Sequence, residues 1–137
     1  MLEHPEDRTI GTDACWALLA SERLGRLALS MQALPVILPV EYALDGETLA
    51  LCLHHYRVDP RAIHDVVVGF AVDALDPDRR SGWTVQVQGL ARLAGSPDDP
   101  VECAQPPAGQ IVRLFPQTVT GQRFDLCPFV PPLGGNG

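Results

Sequence analysis

The pattern of apolar and polar positions changes period once along the chain. From residue 14 to residue 24 the spacing is helical. Thr12-Asp13 stand as N-cap candidates before Ala14–Arg23, and Trp16, Leu19 and Leu24 fall on one face expected to meet a core. Gly25 is expected to stop this helix. Beyond it the period drops towards two. Arg26–Ser30 reads as a short strand and Leu34–Leu44 as a second. Pro35 and Pro39 cannot donate to a ladder, so the second strand is expected at an edge, at a bulge or beside a ligand. Asp45-Gly46 marks a hairpin, with Thr48–His54 as the partner strand. Asp59–His64 reads as one helical turn with Pro60 at its first position.

The β-branched run Val66–Val72 predicts a buried strand, and Trp83–Leu93 a long one. Residues 96–109 carry four prolines and read as a loop; Ile111–Phe115 and Gly121–Leu126 are the last strands. Residues 1–11 are expected to form a flexible arm, 12–127 one domain, and 128–137 a disordered Pro/Gly-rich tail. So many short strands with so little helix predict a mainly β barrel or sandwich.

Composition narrows the function classes. The 137 residues suit one domain and are 46% apolar. The formal net charge is −7, no lysine occurs, and the ten arginines are dispersed. Nucleic acids and anionic membrane surfaces are therefore poor partners. No run of about 18 apolar residues predicts a transmembrane helix, and the acidic start does not read as a secretory signal. Cys15, Cys52, Cys103 and Cys127 form no Cys-x-x-Cys pair, so reduced thiols in a cytoplasm are expected. Abundant Arg and Ala without Lys suggest a GC-rich bacterial genome. No Ser-His-Asp, Cys-His or phosphate-loop signature is present.

An ordered set of short motifs goes further. Trp16-x-Leu18-Leu19 leads into Leu24-Gly25-Arg26-Leu27-Ala28; Pro35-Val36-x-Leu38-Pro39-Val40-x-Tyr42 and Asp45-Gly46 follow. Then come Val68–Asp73, Ser81-Gly82-Trp83-Thr84-Val85-x-Val87-x-Gly89 and Thr118–Arg123. In this order the chain resembles the pyridoxamine 5′-phosphate oxidase-like, flavin-binding split-barrel family over roughly residues 12–126. The resemblance implies a six-stranded antiparallel split β-barrel with an N-terminal helix and a short connecting helix. It also implies a homodimer holding FMN or a deazaflavin between protomers, in a small flavin-dependent oxidoreductase or flavin-binding protein. Pro39, Val40, Glu41 and Tyr42 correspond to the strand whose backbone passes the flavin ring. Trp83 corresponds to an aromatic near the flavin, often across the dimer interface; a core or interface aromatic is its plainer reading.

The expected cofactor-phosphate segment departs from the family pattern. Where relatives carry Arg-Thr, this chain has His54-His55; where they carry Gly-Ser/Thr-Lys, it reads Arg57-Val58-Asp59-Pro60-Arg61. Arg61 is the expected substitute for the lysine, with Asp59 opposing an anion beside it. Adjacent His54 and His55 should face opposite ways: either one of them lines the cofactor or substrate pocket, or, on the plainer reading, one is packed and the other solvated. Glu41, His54 and His55 are the candidate catalytic groups; a solvated strand carboxylate is the plainer reading of Glu41. His54, His64 and Asp65 suit a metal by residue type, yet no spacing joins them, and no metal is expected. The same departure supports an alternative: a flavin-free split barrel whose pocket takes another small ligand, as a binding protein or a cofactor-independent enzyme of specialised metabolism.

Overall fold

The computed structural model describes residues 8–53, 58–94 and 110–128. Strand β1 (Thr9–Ile10) precedes helix α1 (Thr12–Ser21); β2 (Leu24–Met31), β3 (Leu34–Asp45) and β4 (Thr48–Leu53) follow. Helix α2 (Pro60–Ile63) leads to β5 (Val66–Leu75), β6 (Ser81–Leu93) and β7 (Gln110–Asp125). The sheet runs β1-β7-β4-β3-β2-β5-β6, and a further β6–β7 pairing closes β2 to β7 into a six-stranded antiparallel barrel. This is the predicted architecture, with β1 as a short addition on β7 through Thr9↔Gln122 and Ile10↔Gly121.

Period-two alternation fills the barrel. Leu49, Leu51 and Leu53 of β4, Val85, Val87 and Ala91 of β6, and Val112 and Leu114 of β7 are all fully buried. Each buried Val or Leu contributes about 1.5–3 kcal/mol. Helix α1 rests on this barrel through buried Cys15 and Leu19. Tyr42 of β3 holds it there: its O–H donates to the Leu19 carbonyl at 2.5 Å, and its ring meets Phe70 edge-on, centroids 5.1 Å apart.

Three boundaries differ from expectation. The helix begins two residues earlier, with Gly11 as N-cap and no side-chain cap, and it ends at Ser21. Leu24 is therefore not on its core face; it opens β2 and is 61% exposed. Gly25 stops no helix but pairs with Val40, where a Cβ would press on the Phe70 ring. The two expected last strands are one continuous β7. Gln88 pairs with Thr118 and Gly89 with Pro116, so Gln117 is the extra residue of a bulge. Pro116, which has no N–H to offer, sits where the ladder is already interrupted.

Two hairpins set the register of β3. Its end with β4 is a two-residue loop opened by Gly46 at φ 62°, as Asp45-Gly46 predicts. Its start with β2 is Gln32-Ala33, at φ 52° and 65°, a left-handed pair with neither Gly nor Asn.

The close approach at the bulge gives one expected outcome. A Cβ on Gly89 would lie 2.9 Å from the Pro116 Cα and 2.8 Å from the Phe115 carbonyl carbon. Both are backbone atoms and cannot rotate away. Gly89→Ala should cost about 1–3 kcal/mol, read as a lower urea midpoint.

The helix–barrel tie gives another. Burial, with the Glu22 charge adding to it, pushes the Tyr42 phenol up to about 12. Its folded-state value lies above the ordinary value of about 10. The associated stability is therefore fully present below about pH 10 and is lost as pH rises through about 12, by about 2 kcal/mol. Tyr42→Phe should cost about 1–2 kcal/mol at neutral pH and remove this part of the alkaline loss. Urea midpoints of both proteins at about pH 8 and about pH 11 check it.

Candidate functional site

The barrel interior is occupied by side chains, so a ligand must be met outside it. The left-handed Gln32-Ala33 turn projects beyond the barrel at one end of β2 and β3. Helix α2 is pinned near it by fully buried Ile63. Between turn and helix lies an open cleft of about 690 Å3. Met31, Leu34, Val36 and Ala62 give it apolar walls, and Asp59 and Arg61 give it charge.

The charged pair is tightly made. Asp59 caps α2, its Oδ1 accepting the Arg61 backbone N–H at 2.9 Å. Arg61 Nη2 donates to Oδ2 at 2.8 Å, and Nε lies 3.2 Å from both carboxylate oxygens. Pro60 between them fixes the backbone. Hydrogen bonds from Arg61 hold the Asp59 carboxyl below the usual carboxylate range, and the carboxylate raises the guanidinium in turn. Both groups are thus ionised at neutral pH. The Arg61 side chain is 91% exposed, so its remaining donors face solvent.

The other expected site residues separate by face. Pro39 and Glu41 are exposed on the outside of β3; Val40 and Tyr42 point into the core. Only backbone and the Pro39 and Glu41 side chains are offered outward along that stretch. Trp83 is 7% exposed on the inward face of β6, which is the core-aromatic position. His54, His55 and Arg57 lie outside the described residues. His64 Nδ1 accepts the Leu93 N–H at 3.1 Å, and Asp65 pairs with Arg92 at 2.8 Å. Among the described residues no three metal-ligating side chains gather. Cys52 is half-buried on β4 opposite Glu41.

Sequence reasoning missed the apolar wall and the surface beside it. Leu34 and Ile37 are each 66% exposed, and Val67 is 63% exposed. In register Ile37 adjoins small residues: it faces Ala28, which faces Gly69. The signal was the run Leu34–Val40, too uniformly apolar for a strand with one face in water. No described helix is long and apolar enough to cross a membrane.

Comparison with known proteins agrees with this fold. The family model described as pyridoxamine 5′-phosphate oxidase matches residues 11–123. An uncharacterised protein of Mycobacterium tuberculosis is 32% identical over 124 residues, covering 82% of each chain. The solved FAD binding protein of Mycobacterium smegmatis superposes with a TM-score of 0.71 at 27% identity, over 87% of this chain and 98% of that one. An FAD-binding protein of Mesorhizobium loti shares the fold, with a TM-score of 0.64 at 20% identity over 85% and 95%. The six-stranded barrel, the helix laid on it and a sequence match through nearly all the described residues converge: the chain belongs to the pyridoxamine 5′-phosphate oxidase family.

Proposed function

We propose that the protein binds a flavin on the outside of its barrel and does so as a homodimer. The observation that carries this is the cleft, which joins an arginine to apolar walls where β2 and β3 run on past the end of the barrel. Its volume of about 690 Å3 falls in the range of small-molecule sites, about 300–1,000 Å3. A guanidinium suits a phosphate, and the apolar walls suit the ring-bearing part of such a ligand. The residues present therefore fit the group. The family and the FAD-binding relative at 27% identity support the same reading.

When bound, a flavin supplies the hydride or electron chemistry of an oxidoreductase. The chain's own part is to hold and orient. Arg61 takes the phosphate end, and the backbone beside Pro39 and Glu41 flanks the ring. Pro39 leaves that edge without one donor, and Glu41 is the exposed carboxylate on that stretch that would act on a proton there. A second copy covering Ile37 and Val67, on the outward face of β3 and β5, would remove apolar surface from water and exclude solvent from the ring.

Titration with FAD, FMN and a deazaflavin should quench ligand fluorescence with at least one of them. Arg61→Ala should raise that Kd about tenfold. If none of the three binds, the pocket serves another ligand, in line with the missing lysine and the Asp59–Arg61 pair.

Light scattering should give twice the chain mass, and Ile37→Asp should shift the population to monomer, because a buried unpaired carboxylate opposes association. A wild-type monomer at micromolar concentration would contradict the dimer.

A further inference from the structure

We infer that Asp59 is a specificity-determining residue of the cleft: by holding Arg61 it favours a flavin whose phosphate is a diester-type monoanion, as in a dinucleotide, over one ending in a phosphomonoester. This rests on the flavin reading above and adds to it the class of flavin.

The pair is local and is made through several hydrogen bonds. Arg61 is bound from two residues away through Nε and Nη2, while the same carboxylate is fixed by the Arg61 backbone N–H. Asp59 caps α2 and so stays in place when a ligand arrives. An anion recruiting the exposed donors of Arg61 must therefore sit beside an ionised carboxylate as well. Attraction and repulsion come from neighbouring atoms and nearly offset each other.

The residual repulsion scales with the charge on the nearest phosphate. A terminal phosphomonoester carries about −1.5 to −2 at neutral pH. Each phosphate of a pyrophosphate bridge between two nucleosides carries about −1, so less charge meets Asp59. Among the described residues lining the cleft, Arg61 is the only cation, and the chain as a whole has no lysine and a net charge of −7. Among the described residues no surplus of positive charge is there to absorb a dianion. The walls of Met31, Leu34 and Val36 give the second nucleoside of a dinucleotide apolar surface to cover.

The test is a set of fluorescence titrations of the full chain with FAD and FMN, for wild type, Asp59→Asn and Asp59→Ser. Asn and Ser both keep an N-cap acceptor for the Arg61 N–H, so either variant suffices if the other fails to fold. Wild type should bind FAD about fivefold to tenfold more tightly than FMN. Removing the carboxylate should tighten FMN about fivefold to tenfold and FAD by only about twofold to fourfold, so the FAD preference narrows. Equal wild-type affinities, or variants that shift both flavins alike, would overturn the role of Asp59 while leaving flavin binding intact. Wild type binding neither flavin would overturn both.

Discussion

Closure of the sheet through β7 is the constraint on which the rest depends. This one strand pairs with β4 along Gln110–Leu114 and with β6 from Val112 to Asp125. A six-stranded barrel closed this way has an interior only wide enough for its own side chains, here leucines and valines. With no room inside, whatever the protein binds must lie on the outer surface. The bulge at Gly89 and Pro116 lets β7 turn between its two partners without losing either.

From that exclusion the outer surface acquires its character. Alternation sends Val40 and Tyr42 inward, so the same strand presents Pro39 and Glu41 outward. Past the end of the barrel, the Gln32-Ala33 turn and the short helix α2 raise two walls around Met31, Leu34 and Val36, which continue the inward-facing positions of β2 and β3. The cleft between them is electrically almost neutral. Its single described cation is already matched by a carboxylate two residues away. A site of this kind gains affinity from apolar contact and shape, with charge setting which phosphate is admitted.

Much of the fold was legible because the strands obey simple periodicity. Leu49, Leu51 and Leu53 alternate strictly, and Asp45-Gly46 announces its hairpin. The order of weak motifs then pointed to the right family. What was not legible came from tertiary context. Gln32-Ala33 carries no turn signature, because its left-handed backbone is imposed by β2–β3 pairing. Leu24 reads as a helix residue until β3 claims it for a strand. Pro116 reads as a strand break, and only the bulge makes it compatible with one. At the site, Arg61 was identified from its sequence position and does line the cleft. Met31, Leu34 and Val36 were not identified, since they continue the inward-facing positions of β2 and β3 and read as core until the structure shows that they lie past the end of the barrel.

Hydrogen–deuterium exchange of the full chain, with and without saturating FAD, tests the placement most directly. A ligand in the cleft should slow exchange in Ser30–Val36 and Asp59–Ala62, with little change in the β6–β7 ladder around Gly89 and Phe115. Slowed exchange elsewhere, with both of those segments unchanged, would contradict a flavin bound between the β2–β3 turn and α2.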